Sequence, residues 1–206
     1  MEELFERYPA LEACRVEIEA ARDLLIECFK NGGKLLLCGN GGSAADCEHI
    51  VGELMKGFLK KRPLSNAVRE ALVSQGENGA MLAGCLQGAL PAISLPHQSA
   101  LISAFCNDVS AEMAYAQLTC GYGKKGDVLW CISTSGNAKN ATLAAQTARA
   151  VGMRVLALTG ERESALSRTS DVTIRVPEHE TFKVQELHLP VYHALCAAVE
   201  NCFFEE

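Results

Sequence analysis

A chain of 206 residues can bury one sizeable core but would crowd two full domains. With 49% hydrophobic and 21% charged residues it has the balance of a soluble globular protein. A formal net charge of −6 argues against a general nucleic-acid or anionic-membrane binder, because both need a basic face, while leaving room for a local basic pocket for a phosphate.

The N-terminal stretch MEELFERYPALEACRVEIEAA is acidic and amphipathic and has neither the basic nor the apolar segment of a signal peptide. No uncharged apolar run reaches membrane-spanning length, so a cytoplasmic protein is expected. Apolar positions at helical spacing (Leu11, Cys14, Ile18, Ala21, Leu24, Leu25, Cys28) predict a helix over 10–31 that stops at Asn31-Gly32-Gly33. A strand at 34–38, a glycine-rich loop and a helix over 43–58 follow. Residues 60–90 begin with the basic run Lys60-Lys61-Arg62-Pro63 and then read as helical. Further on, strands are predicted at 91–96, 127–133, 154–160 and 172–177. Between them the pattern gives helices near 99–105, 108–120, 137–151 and 163–169, and a long helix from 184 to 204 closes the chain.

The run DVLWCIS is almost wholly apolar, as in strands buried on both faces of a parallel sheet. Alternation of strands and helices predicts an α/β fold with a single doubly wound parallel sheet. No repeat or linker divides the chain, so one domain is expected. The ten cysteines are dispersed, without a C-x-x-C pair, and read as reduced thiols rather than a disulfide framework or a zinc knuckle.

Two loops carry the chemistry. LLLCGNGGSAAD runs from an apolar strand through Asn40, Gly41, Gly42 and Ser43 into a helix, and STSGN (Ser133, Thr134, Ser135, Gly136, Asn137) follows the strand at 127–133. In open parallel sheets ligands bind beyond the carboxyl ends of the strands. Glycines let the backbone approach an anion, a helix start offers free N–H groups, and hydroxyls suit a phosphate monoester. The plainer reading of STSGN is a cap for the next helix; the presence of both loops favours a binding role.

No lysine follows Gly42, which excludes a nucleoside-triphosphate P-loop. The G-x-G-x-x-A spacing of Gly39, Gly41 and Ala44 would suit a dinucleotide, but Leu59-Lys60-Lys61-Arg62 stands where a ribose-binding acid is needed. The loop therefore forms one wall of a smaller phosphate pocket, with Ser43 as its phosphate-side hydroxyl. Downstream, His49 and Glu53 lie four residues apart on one helical face; taken alone, such a pair is an ordinary surface contact.

GNGGSAAD with a downstream STSGN resembles the sugar isomerase (SIS) domain family, over about residues 10–204, and within it the phosphoheptose isomerases. The resemblance implies a flavodoxin-like SIS fold with extra N- and C-terminal helices, and a homotetramer with sites at subunit interfaces. It further implies aldose–ketose isomerisation of a phosphosugar, such as sedoheptulose 7-phosphate, through an enediol(ate). His49, Glu53, Gln185 and His193 match a set around a divalent metal, commonly zinc. Glu53 matches the base and His193 the acid. Asn107-Asp108 matches a dipeptide whose Asp contacts the sugar, although Asp108 also reads as a helix N-cap. About 12 Å of helix separates Gln185 from His193, and Pro190 removes a helical N–H between them, which makes one shared ion awkward.

The chain departs from the family in about 25 extra residues (64–90) after Arg62-Pro63, expected to form a helical insertion. Lys56 stands near Gly57 where relatives often have Arg, and Thr181-Phe182-Lys183 precedes Gln185 where an acid is usual. Two other functions come from the same resemblance. One is a non-catalytic protein binding the replication initiator DnaA, whose family member lacks the Glu and the last His that are present here. The other is a phosphosugar sensor, which usually carries a DNA-binding domain for which this chain has no room.

Overall fold

A computed structural model describes residues 1–204. Five parallel strands form one sheet: β1 (Leu35–Gly39), β2 (Ala92–Ser94), β3 (Val128–Ile132), β4 (Arg154–Thr159) and β5 (Val172–Arg175). Their order is β2-β1-β3-β4-β5, so the sheet grows in one direction from β1 to β2 and in the other through β3 to β5. The direction reverses between β1 and β3, which is where such folds place their ligands.

Every residue of β1 and of β3 is buried, because helices cover both faces of the sheet. Alternation along each strand sends Leu35, Leu37, Val128 and Trp130 to one layer and Leu36, Cys38, Leu129 and Cys131 to the other. The first layer is closed by α1 (Glu2–Arg7), α2 (Arg15–Lys30), α3 (Gly42–Met55) and α10 (Thr181–Phe203). The second is closed by α6 (Ser99–Asp108), α7 (Ala114–Tyr122), α8 (Lys139–Ala150) and α9 (Ala165–Thr169). The alanines Ala141, Ala144, Ala145 and Ala148 give α8 a flat face that lies directly on the sheet.

Residues 64–90 carry α4 (Asn66–Val73) and α5 (Glu77–Cys85), which pack mainly on each other. Val68, Val73, Met81, Leu82 and Leu86 remain exposed there. All ten cysteines are free thiols, and Cys14, Cys28, Cys38, Cys47, Cys131 and Cys196 are buried. Among the described residues no helix is long and apolar enough to cross a membrane.

Several boundaries differ from the sequence pattern for local reasons. Pro9 opens a 3-10 turn (Pro9–Cys14), and the regular helix starts only at Arg15. α8 begins at Lys139 with Ala138 at its cap, so the STSGN side chains do not cap it. α10 starts at Thr181, a turn before Val184, and runs unbroken past Pro190. Asp108 ends α6 and caps nothing; Ser110 caps the next turn instead, accepting from the Glu112 N–H at 3.3 Å.

Candidate functional site

The glycine loop and STSGN leave the sheet side by side, because Gly39 of β1 is the register partner of Ile132 of β3. Gly41 takes φ 55° at the start of α3, a conformation that glycine adopts at no steric cost. A side chain at Gly42 would meet the Gln185 amide nitrogen at 2.6 Å, so glycine here lets α10 approach the loop. Gly136 turns at φ 64° and lies against Ser164, leaving no room for a Cβ.

The glycine loop is also tied to the start of α8, just past STSGN, by a reciprocal amide pair. Asn40 Nδ2 donates to Asn140 Oδ1 and Asn140 Nδ2 donates to Asn40 Oδ1, both at 2.9 Å. The Tyr115 hydroxyl donates to the Gly39 carbonyl at 2.7 Å, bracing the same turn. Asn137 braces the other, accepting from the Ala165 N–H at 3.0 Å and donating to the Ser135 carbonyl at 3.0 Å. Among the described residues, the N–H groups of Gly41, Gly42, Thr134 and Ser135 donate to no protein acceptor. With the hydroxyls of Ser43, Ser133, Thr134 and Ser135, they form a donor-rich, neutral cradle suited to an anion.

A second cluster lies further along α3. His49 Nε2 stands 3.2 Å from Glu53 Oε1 and 3.3 Å from His193 Nε2, which α10 brings across. One ligand atom from each of the three residues falls within 4.8 Å of the others. Burial, with the neighbouring His49 adding to it, lowers the pKa of His193 and favours its neutral form. Two imidazoles and a carboxylate converging with open solvent on one side are a donor set for a divalent cation with a free coordination position. The residues present therefore fit a metal ion.

Glu53 Oε2 points the other way, 3.3 Å from Lys56 Nζ. Behind the cluster, the Tyr192 hydroxyl lies 3.2 Å from Asp46 Oδ1 and 3.1 Å from His49 Nδ1.

The structure thus brings together His49, Glu53 and His193, and separately Asn40, Gly41, Gly42, Ser43 and Gln185 beside Ser133, Thr134, Ser135 and Asn137. It seats Gln185 against Gly42, at the loop end of α10, about two helical turns from His193. Asp108 is exposed, and its carboxylate accepts from Asn107 Nδ2 at 2.8 Å. Sequence reasoning did not single out Asn140, Tyr115, Tyr192 or Asp46. For Asp46 a signal existed: it precedes His49 by three residues and Glu53 by seven, on one helical face.

A 2-1-3-4-5 sheet with paired serine- and glycine-rich loops at its switch point is the architecture of a phosphosugar-binding domain, and the chain belongs to the SIS domain family. Models of the SIS domain match residues 94–198 and residues 9–87. Among particular proteins it is similar to phosphoheptose isomerases. That of Shewanella loihica is 34% identical over 200 residues, covering 96% of this chain and 89% of the relative. The solved phosphoheptose isomerase of Francisella tularensis superposes with TM-score 0.77 at 28% identity, covering 94% of this chain and 90% of that one. The Neisseria gonorrhoeae enzyme superposes with TM-score 0.75 at 28% identity, covering 97% and 94%.

Proposed function

We propose that this chain is an aldose–ketose isomerase acting on a seven-carbon sugar phosphate, converting sedoheptulose 7-phosphate to a heptose 7-phosphate. The observation that carries this reading is the spacing along α3, whose two ends meet a phosphate cradle and a His/Glu/His cluster. Six residues separate Ser43 from His49, about 9 Å of helix. An extended seven-carbon chain spans that distance from its terminal phosphate to its carbonyl; a triose phosphate falls short.

Gly41, Gly42, Ser43, Ser133, Thr134 and Ser135 bind the phosphate, with Asn137 shaping the loop. Asn40, Gln185 and Asp108 address the sugar hydroxyls. Glu53 removes the proton from the carbon beside the carbonyl and returns it to the neighbouring carbon. His193 moves the proton between the two oxygens. His49, Glu53 and His193 would hold a divalent metal, with zinc the best match to the donors, and Gln185 stands as the fourth member by family pattern. When bound, the metal polarises the carbonyl and offsets the charge of the enediolate.

The reading extends to one SIS domain with a helical insertion at 64–90, in the cytoplasm, assembled as a homotetramer. The exposed Val68, Val73, Met81, Leu82 and Leu86 support assembly, since a lone subunit would present this apolar surface to water. Sedimentation as a monomer overturns that part.

Glu53→Gln tests the chemistry. Turnover of sedoheptulose 7-phosphate should fall by about 10²–10⁴-fold while a phosphate monoester still binds. Full activity in that variant overturns the base assignment. A wild-type protein inert on all heptulose, hexulose and pentulose phosphates, yet retained on immobilised DnaA, overturns the enzymatic reading.

A further inference from the structure

Tyr192 is 1% exposed, and its hydroxyl has two partners that cannot both accept its single proton. Asp46, once ionised, can only accept. His49 Nδ1 accepts or donates according to which ring nitrogen carries the hydrogen. Two arrangements follow. In one, the phenol donates to Asp46 and accepts from His49 Nδ1–H. In the other, the phenol donates to Nδ1 and leaves the half-buried carboxylate without this donor.

A hydrogen bond to an ionised acceptor is roughly twice as strong as a neutral one, and an unmet half-buried charge is the more costly loss. Before a cation binds, a hydrogen on Nε2 has its own charged acceptor, Glu53 Oε1 at 3.2 Å. A cation on Nε2 displaces that hydrogen to Nδ1, and the first arrangement then prevails, with the Nε2 lone pair directed beside Glu53 Oε1 and His193 Nε2. The Tyr192 ring also packs edge-on against both imidazoles, with centroids 5.5 Å from His49 at 72° and 5.0 Å from His193 at 85°.

We propose that Tyr192 is a positioning residue that, with Asp46, takes the His49 Nδ1–H when Nε2 binds a cation beside Glu53 and His193. Asp46–Tyr192–His49 is a carboxylate–phenol–imidazole relay that holds the ligating tautomer. Histidine ligands depend on such outer partners to fix ring orientation and tautomer. The inference rests on reading His49, Glu53 and His193 as a metal centre.

The test uses the full chain and two variants, Tyr192→Phe and Asp46→Asn. Phenylalanine keeps the ring packing and removes only the hydroxyl. Zinc affinity, measured by competition with a chromophoric chelator, should fall 10–100-fold in Tyr192→Phe and by less in Asp46→Asn. Long-range ¹H–¹⁵N spectra of histidine-labelled, zinc-loaded protein at pH 8 supply a readout that a purely structural role would not move. They should show a slowly exchanging His49 Nδ1–H in the wild type that exchanges faster with water in Tyr192→Phe, with the resonance assigned by its loss in His49→Gln. Wild-type zinc affinity together with unchanged Nδ1–H exchange in Tyr192→Phe overturns the proposal. If the wild type itself binds no divalent ion, the metal reading falls and this proposal falls with it, a result distinct from wild-type affinity in the variant.

Discussion

The chain from the end of α3 to Arg62 meets the second half of α10 through two groups of charged or titratable side chains, and the two are built on opposite rules. In the first, Arg62 and Glu200 are both fully buried. Arg62 donates from Nε to Glu200 Oε1 at 2.8 Å and from its terminal nitrogens to the carbonyls of Leu54 at 2.6 Å and Glu53 at 2.8 Å. Glu200 also accepts from the N–H groups of Phe58 at 2.9 Å and Leu59 at 2.8 Å. In the second, His49, Glu53 and His193 turn ring nitrogens and a carboxylate oxygen toward one another and stay open to solvent. A satisfied cluster holds the fold together; a convergent, solvent-open one is ready to take a ligand. The first also serves the second: Arg62 grips the carbonyl of Glu53 itself, and Phe58, held by Glu200, packs 5.6 Å from the His193 ring.

Breaking the satisfied pair gives the largest expected effect. Glu200→Ala leaves the Arg62 guanidinium buried without its counter-charge and should cost about 3–5 kcal/mol of stability, read as a lower urea midpoint. Arg62→Met combined with Glu200→Leu should recover most of that loss, since an apolar pair of similar volume demands no hydrogen bonds. A single variant as stable as the wild type would erase the distinction between the clusters.

His188 sharpens the contrast, because it is fully buried on α10 and neither ring nitrogen has a well-formed hydrogen bond. Burial holds its pKa down at about 4, against an ordinary 6.5. At pH 7 both folded and unfolded chains carry it neutral. As pH falls through 6.5 the unfolded chain takes up a proton that the folded one refuses, so stability declines until about pH 4. That difference amounts to about 3 kcal/mol. His188→Leu should shrink the drop in urea midpoint between pH 7 and pH 4.5; an unchanged drop would place the acid sensitivity elsewhere.

Legibility from sequence followed the same division. The five strands and the two loops could be read because apolar runs and Gly/Ser turns are local signals. His49, Glu53 and His193 were readable only through family pattern, since 140 residues of chain separate Glu53 from His193 and no local spacing joins them. Arg62 read as part of a basic run, and its burial was not legible there: its partner lies 138 positions away, and only the packing of α10 on α3 reveals it. Asp108 misled as a cap because Asp is a common N-cap, whereas Val109, at φ −131° and ψ −75°, ends α6 just after it. Nothing in the sequence singled out Tyr192, because its hydroxyl matters only once α3 is beside it.

The smallest effect tests the loops rather than the helices. Asn140 touches no predicted phosphate ligand and acts only through Asn40, closing the glycine loop onto the start of α8. Asn140→Ala removes two neutral, exposed hydrogen bonds, which together contribute about 1–2 kcal/mol if the loop relaxes without them. The cradle would still form but spend part of its time open, so a phosphorylated substrate would first have to close it. That raises KM about tenfold and leaves kcat nearly unchanged, because Glu53 and His193 lie further along α3 and α10 and do not feel the loop. A fall in kcat with constant KM would instead mean that the loop's position is transmitted along α3 to Glu53, and the two regions would then work as one unit.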